Sequence, residues 1–404
     1  MKVTGRDPAT GRTLSVSTEG GVIAEVRPAS ESTDLWLAPG LVDLQVNGFA
    51  GHDVNAASVT PTTVAALVRA LWKAGVTTVL PTVVTADEER ITRALEAVRE
   101  ARDADPRVAH AIPYVHVEGP FLSHEDGPRG VHDARHIRPA SSAELHRWGD
   151  LVGMVTVSPH DDAAIEFIRA ATRAGVRCAI GHTHASPEQI TRAVDAGARL
   201  STHLGNGAHA VLARHPNYLW AQLADDRLSA GFIADGHHLP ADTFKAMLRA
   251  KGVDRAHLVS DCTELGGLPP GRYRTPVGGE VELSPDGRLG YVGTPFLAGA
   301  SRSLADGVAT ALTMADLTLA TALRLATANP GRFAGGRGVL VPGAPADLLT
   351  FAWQPGDRTL DIRTVVAGGV LVVDGGALVA DDECAGPAAS TGPTHHPASP
   401  GGTA

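Results

Sequence analysis

The sequence is poor in cysteine, in aromatic side chains and in long apolar runs. Its three cysteines, Cys178, Cys262 and Cys384, are too few and too dispersed for a disulfide framework, and no Cys-x-x-Cys pair is present to hold a structural zinc. The first residues lack the apolar core of a signal peptide, and no apolar run is long enough to span a bilayer. We therefore expect a cytoplasmic protein in a reducing compartment.

An excess of positive charge is also absent. The formal net charge is −9, and the charged residues are scattered rather than grouped in blocks. Nucleic acids and anionic membranes are bound through basic patches, so neither is an expected partner. The expected partner is a small molecule.

Eight short apolar, β-branched segments are present, most of them separated by helical patterns. These segments are Leu37–Gln45, Thr77–Thr85, Ala111–Glu118, Leu151–Ser158, Val176–His182, Arg199–His203, Leu228–Asp235 and His257–Asp261. The helical patterns include Pro61–Ala74, Asp87–Ala104, Asp161–Ala174 and Pro187–Ala196, with Ser186 as the N-cap of the last. The alternation predicts a parallel sheet, and eight repeats match a (β/α)8 barrel in the α/β class. A doubly wound sheet is the alternative.

The segments outside the barrel predict a second, smaller domain. Residues 1–38 and 336–380 alternate with Gly-rich turns, which predicts one small β-sandwich-like domain built from both termini, with the catalytic barrel at 39–335. Residues 381–404 are rich in Gly, Pro, Ser and Thr and predict a disordered tail. His395-His396 within this tail lacks the further ligands that a metal site needs.

Metal-type ligands stand at the ends of three predicted strands. Glu118 closes Val115–Glu118, while His182 and His203 end the fifth and sixth segments. The carboxyl ends of barrel strands meet on one face, and a Glu with two neutral imidazoles is a common ligand set for a catalytic zinc that keeps one position open. Asp261, at the end of the eighth segment, adds a carboxylate that can move protons beside a water. The pattern predicts a metal-dependent hydrolase.

These residues lie within motifs that carry a family resemblance. The motifs are Pro39–Gly48, His116–Phe121, Gly181–Ala185, Thr202–Asn206, Ala234–His238 and Val259–Asp261. Together they resemble the N-acetylglucosamine-6-phosphate deacetylases of the amidohydrolase superfamily. The resemblance implies hydrolysis of the acetamide of N-acetylglucosamine 6-phosphate to glucosamine 6-phosphate and acetate, with one divalent metal, zinc first and iron second, on Glu118, His182 and His203. Asp261 would take a proton from water and pass it to the leaving amine.

The first strand departs from the metal pattern of many amidohydrolases. Those enzymes carry a His-x-His pair that holds a second metal, whereas this chain has Gln45 and Asn47. Neutral amides are poor ligands for zinc or iron. We therefore predict a single metal ion and the loss of the second position.

The resemblance also assigns residues to the substrate. It implies that His238, rather than the adjacent His237, contacts the substrate, and that Asn206 with Gly207 binds the sugar or its phosphate. Arg214 matches an arginine that reaches the phosphate in the neighbouring subunit of a homodimer. His132 lies in a Gly-containing loop where the family places substrate-facing backbone.

The segment around these substrate residues also departs from the family pattern. Gly205, His209, His215 and Asn217 replace the residues that are usual there. Two alternatives follow: hydrolysis of another N-acylated amino sugar, aminocyclitol or amine without the 6-phosphate, or a non-catalytic barrel that binds an amino sugar. The complete set of metal-type ligands and Asp261 argue against the second.

Overall fold

A computed structural model describes residues 1–275 and 279–380 of the chain. Eight parallel strands form one sheet in chain order, and we number them one to eight. Their bounds are Leu41–Val46, Val76–Val84, Val115–Glu118, Val152–Val157, Arg177–Ile180, Leu200–Ser201, Ser229–Ile233 and Ala256–Val259. The predicted tail at 381–404, with Cys384 and His395-His396, lies outside the described residues.

The sheet is nearly closed into a barrel by contacts between its first and eighth strands. The Asp261 amide donates to the Gln45 carbonyl at 2.9 Å, and the Asn47 amide donates to the Cys262 carbonyl at 2.9 Å. The (β/α)8 prediction is confirmed, and the doubly wound alternative is wrong. This closure also places Gln45, Asn47 and Asp261 side by side at the mouth.

Helices surround the barrel and pack apolar faces against it. The α-helices are Pro61–Lys73, Glu88–Ala104, Pro106–Ala111, Ser142–Trp148, Asp162–Arg173, Pro187–Ala196, Tyr218–Ala224, Ala241–Lys251, Leu304–Ala315, Leu319–Leu325 and Ala328–Gly331, with 3-10 turns at Gly149–Leu151 and Val253–Arg255. In the first helix Val64, Leu67, Val68 and Leu71 are buried, as their spacing on one face predicts. Ser186 caps Pro187–Ala196 in a capping box with Gln189, which confirms its predicted role.

The barrel interior is a packed apolar core below the mouth. It is formed by one cluster of side chains from the strands: Val42, Leu44, Leu80, Met154, Ala179, Leu200, Ile233 and Val259. Burial of this cluster fixes the strands against one another, so the residues at the strand ends are held by a rigid base.

Segments from both ends of the chain form a second sheet of eight strands. Its strands are Lys2–Arg6, Thr13–Glu19, Val22–Pro28, Trp36–Pro39, Leu348–Ala352, Asp361–Ala367, Val370–Asp374 and Ala377–Leu378, and all pairs are antiparallel except Lys2–Arg6 with Trp36–Pro39. The fold class predicted from the sequence is thereby confirmed, while the exact domain boundaries stay a prediction.

Two parts of the barrel region differ from the sequence prediction. Ala111 closes a helix rather than opening the third strand, which starts at Val115. Strands Gly271–Thr275, Gly279–Leu283 and Leu289–Tyr291 form a small antiparallel sheet that was not predicted, and Gly48–Phe49 pairs with His52–Asp53. Within the described residues, no helix combines the length and the apolar character that a membrane crossing requires.

Candidate active site

The strand ends at the barrel mouth turn sharply at the residues predicted to carry the chemistry. Five non-glycine residues in the described ranges have a positive φ, and three of them are His182, His203 and Asp261, with φ of 49°, 23° and 50°. This left-handed backbone is costly for residues with a side chain and is concentrated at functional sites. The turns direct these three side chains into one place at the mouth.

Glu118, His182 and His203 converge on one point. Glu118 Oε1 lies 3.3 Å from His182 Nε2 and 3.1 Å from His203 Nε2, and the two nitrogens are 3.1 Å apart. Three ligands of a tetrahedral zinc with bonds of about 2.05 Å stand about 3.3 Å from one another. Within the described part of the chain, this is the one group whose metal-type ligand atoms come together, and all three residues are buried.

The hydrogen bonds around His182 favour a cation at this point. His182 Nδ1 lies 2.8 Å from the Pro128 carbonyl, to which it can only donate, so Nε2 is left with a lone pair facing Glu118 and His203. This lone pair and the Glu118 carboxylate oxygen, 3.3 Å apart, repel each other unless a cation or a proton lies between them. The donor set therefore fits a divalent metal, and the carbonyl fixes the ring orientation as such sites require.

Gln45 holds the carboxylate of this group. Its Nε2 donates to Glu118 Oε1 at 2.8 Å. Burial opposes ionisation of Glu118, but the neighbouring rings of His182 and His203 outweigh it and hold the pKa of the carboxyl well below its usual range. Glu118 is thus an anion that is held in position by the Gln45 amide. The amide of Gln45 therefore orients the Glu118 carboxylate.

Asn47 holds the neighbouring acid in the same way. Its Nδ2 donates to Asp261 Oδ1 at 2.8 Å. Burial and the negative charge of Glu118 raise the pKa of Asp261 to about 6, while the positive charges of His203 and His238 and the bond from Asn47 act in the opposite direction. One carboxyl oxygen is therefore occupied by the amide, which leaves the other to face the mouth. A carboxyl in this state suits proton transfer near neutral pH.

His132 lies closer to the ligand group than the sequence indicates. Its Nε2 is 3.3 Å from His182 Nε2 and 3.9 Å from Glu118 Oε2, and its side chain is buried. Burial, with a smaller contribution from the neighbouring His182, lowers the pKa of His132 to about 3, so its imidazole is neutral. His132 therefore lies beside the ligand group itself, because the loop after strand three folds back over the mouth.

A cavity of about 560 Å³ opens onto this group. Besides the ligands, its wall includes residues from the loop after strand three, from the end of strand one and from the small antiparallel sheet: Arg129, Arg135, Asp53, Asn55, Val281 and Tyr291. Arg129 and Asp53 were not singled out from the sequence, since no spacing rule relates them to the ligands. The volume suits a small-molecule substrate.

The residues assigned to the sugar lie outside the wall of this cavity. His238 faces inward, with Nδ1 2.7 Å from Asp235 Oδ2, whereas His237 is at the surface near the Asp286 carbonyl. Asn206 hydrogen bonds to the His203 carbonyl. Arg214 is exposed, and its guanidinium has no ion-pair partner in residues 1–275 and 279–380.

Gly207 has a packing role that the sequence did not reveal. It adopts a φ of 55°, and a side chain there would meet His182 Nδ1 at 2.6 Å. Only glycine allows this approach to the ring of a ligand without displacing it. Gly207 therefore supports His182 directly, whatever it contributes to the sugar.

Comparisons with known proteins agree with this geometry. The model of the Amidohydrolase family matches residues 36–372. The chain belongs to the amidohydrolase family. An N-acetylgalactosamine-6-phosphate deacetylase from Shewanella is 33% identical over 76% of this chain and 76% of its own length, and an N-acetylglucosamine-6-phosphate deacetylase from Bos taurus is 34% identical over 86% of this chain and 87% of its own length.

A solved structure from this group matches most of the chain. The N-acetyl-D-glucosamine-6-phosphate deacetylase from Mycobacterium smegmatis, in complex with N-acetyl-D-glucosamine-6-phosphate, has a TM-score of 0.78 and 28% identity, covering 90% of this chain and 95% of that one. The resemblance to these deacetylases that the sequence predicts is confirmed, and the chain is that of an amidohydrolase enzyme.

Proposed function

We propose that this enzyme hydrolyses the acetamide of N-acetylglucosamine 6-phosphate, giving glucosamine 6-phosphate and acetate. The observation that carries the proposal is the convergence of Glu118, His182 and His203 beside Asp261 in one barrel mouth. Relatives of about one-third identity that span most of the chain are named for this reaction.

Glu118, His182 and His203 would hold one divalent metal, for which zinc is our first expectation and iron the second. When bound, such an ion polarises the amide carbonyl and promotes ionisation of a water. Gln45 keeps Glu118 in place for this role, and the Pro128 carbonyl keeps His182 in place.

Asp261 moves the protons of the reaction. Its ionised carboxyl accepts a proton from the attacking water, and its elevated pKa allows it to return that proton to the amide nitrogen. An amine leaves poorly until it is protonated, so the second transfer is as important as the first. Asn47 holds one oxygen, and the other is free to take and release the proton.

The two neighbouring histidines orient the substrate. Neutral His132 can donate a hydrogen bond from the open side of the ligand group to the acetamide oxygen. His238, with Nδ1 held by Asp235, would contact the sugar through Nε2. Asn206 and Gly207 would contact the sugar or its phosphate, and the exposed Arg214 would reach the phosphate bound by the neighbouring subunit of a homodimer in the cytoplasm.

The galactosamine epimer is a second candidate substrate. An N-acetylgalactosamine-6-phosphate deacetylase matches the chain at nearly the same identity as the glucosamine enzyme. The two sugars share the acetamide and the phosphate, so the same catalytic group serves both.

Acetate release from three sugars tests the proposal. Metal-loaded enzyme is assayed with N-acetylglucosamine 6-phosphate, N-acetylgalactosamine 6-phosphate and unphosphorylated N-acetylglucosamine, each with a chelated control. Faster, chelator-sensitive turnover of the first sugar supports the proposal, and faster turnover of the second favours the epimer. Turnover of none of the three would contradict both.

A further inference from the structure

A second group of imidazole and carboxylate side chains lies beside the ligand group. Glu125 follows strand three, His184 follows strand five and His209 follows strand six. These are the three strands that supply Glu118, His182 and His203. The second group therefore connects the same three loops further from the barrel axis.

Glu125 is placed between the two histidines. Its Oε2 lies 2.8 Å from His209 Nε2, a hydrogen bond, and its Oε1 lies 3.8 Å from His184 Nε2. The carboxylate is half-exposed, while the two rings are largely covered. A single carboxylate thus faces ring nitrogens from two other loops.

Two hydroxyls set the tautomers of these rings. The Tyr218 hydroxyl oxygen accepts from the His209 amide at 2.9 Å, so its proton is free to go to His209 Nδ1 at 3.0 Å. Ser123 Oγ likewise accepts from the Glu125 amide at 3.1 Å and donates to His184 Nδ1 at 2.6 Å. Both rings then carry their proton on Nε2, facing Glu125, without any need to be charged.

Two of the three loops joined by this group support the ligand His182. The loop after strand three supplies the Pro128 carbonyl to His182 Nδ1, and the loop after strand six supplies Gly207 against the ring. The two loops also touch each other, since a side chain at Gly127 would meet the Ala208 carbonyl at 2.9 Å. A shift of one loop is therefore transmitted to the other.

The group is not arranged as a metal site. Among the described residues, Glu118, His182 and His203 are the only group of three whose metal-type ligand atoms all lie within 4.8 Å of one another. Glu125, His184 and His209 do not meet this condition, so the contacts fit a link between loops.

We propose that Glu125, His184 and His209 form a positioning cluster that sets the distance between the two substrate-facing loops. One loop carries His132, and the other carries Asn206 and Gly207. Because the cluster ties these loops together outside the ligand group, it determines how well the sugar fits without changing the chemistry of the metal and Asp261. The effect on sugar binding rests on the proposed function, whereas the effect on the loops does not.

Substitutions at both ends of the short contact test this role. Glu125→Ala and His209→Ala should each raise KM for the preferred sugar phosphate about tenfold, with kcat changed less than about twofold and metal content unchanged. The double variant should be no worse than Glu125→Ala, since the contact that His209→Ala removes is already absent from Glu125→Ala. Glu125→Gln should recover part of the loss, because its amide oxygen still accepts from His209.

A readout that needs no substrate separates this proposal from the proposed function. Hydrogen exchange in the metal-loaded Glu125→Ala protein should be faster than in wild type over residues 123–132 and 204–212. The matched control is Glu166→Ala, which removes an exposed carboxylate paired with Arg169 on an outer helix and should change neither exchange nor KM. If wild type releases acetate from no sugar, the function fails while the exchange result still decides on the cluster.

Three results would overturn the proposal. Unchanged exchange and KM in Glu125→Ala would show that the contact positions nothing. Additive effects in the double variant would show that the two residues act separately. A loss of metal and Tm with a fall in kcat at constant KM would show a structural role only.

Discussion

The ligand group and the loop at residues 204–217 are neighbours at the barrel mouth, yet they differ in how completely this chain holds them. Glu118, His182 and His203 are buried, and hydrogen bonds from Gln45 and to Pro128 fix two of them. In the loop and the helix after it, Val211, Arg214 and Trp220 are exposed. The comparison indicates that the catalytic group is preorganised within one chain, while the loop leaves side chains exposed at the rim of the mouth.

The largest effect is expected at Asp261, beside the ligand group. Asp261→Asn should keep the metal but lower kcat by about 1,000-fold, because an amide cannot carry the proton between water and amine. Acetate release and metal analysis of the same preparation measure both quantities. An enzyme with nearly full kcat would remove Asp261 from the mechanism.

Loss of the Gln45 amide, which orients Glu118, should have a smaller effect. Gln45→Ala is expected to weaken metal binding about 10- to 100-fold, since Glu118 loses the donor that holds Oε1. Competition with a chelator gives the affinity, and Gln354→Ala on the exposed surface is the control. Equal affinity in Gln45→Ala and the control would show that the ligands need no such support.

In the exposed loop at residues 204–217, Arg214→Ala should weaken substrate binding and leave metal binding unchanged. We expect KM for the sugar 6-phosphate to rise about tenfold, as a charge-assisted contact to phosphate is lost, and activity on the unphosphorylated sugar to stay the same. Steady-state kinetics on both sugars checks this, with Arg173→Ala on an outer helix as the control. Equal losses on both sugars would contradict a phosphate contact.

The smallest effect is on the stability of the fold in acid, and it concerns a histidine that is buried inside the barrel. Burial lowers the pKa of His257, inside the barrel, to about 3, so the folded state resists a proton that the unfolded chain binds below about pH 6.5. Stability is then lost as pH falls through the window from 6.5 toward 3, and His257 should account for about 1 kcal/mol between pH 6.5 and 5.5.

Urea unfolding at several pH values measures this contribution. His257→Asn should give a shallower fall in the free energy of unfolding with decreasing pH than wild type. Gln354→Ala, at an exposed position without a titratable group, should leave the slope unchanged. The same slope in His257→Asn and wild type would show that His257 is not held neutral by burial.

The barrel and its strand ends could be predicted from the sequence, whereas the contacts made by the loops over the mouth could not. The barrel and its helices follow from periodicity, and the ends of strands three, five, six and eight follow from chemistry-bearing residues placed after apolar runs. The convergence of Glu118, His182 and His203 needs only the rule that strand ends meet on one face. The left-handed backbone at His182, His203 and Asp261 adds a constraint that no residue pattern indicates.

The remaining contacts depend on how long loops fold over the mouth. His132 reaches His182, and Glu125 reaches His209 across more than 80 residues, through loop conformations that have no periodic pattern. The small sheet of Gly271–Thr275, Gly279–Leu283 and Leu289–Tyr291 was missed because its strands are only three to five residues long, too short for a recognisable periodic pattern. Gly207 was read as a sugar contact, while its close approach to His182 is visible only in three dimensions.

The central claim is that one metal ion on Glu118, His182 and His203 supports deacetylation of the sugar phosphate. Stepwise addition of zinc to metal-free protein, with acetate release from N-acetylglucosamine 6-phosphate measured at each step, tests it most directly. The account predicts that activity rises linearly and reaches its plateau at one equivalent per chain. A plateau only at two equivalents, or no acetate release at any ratio, would contradict it.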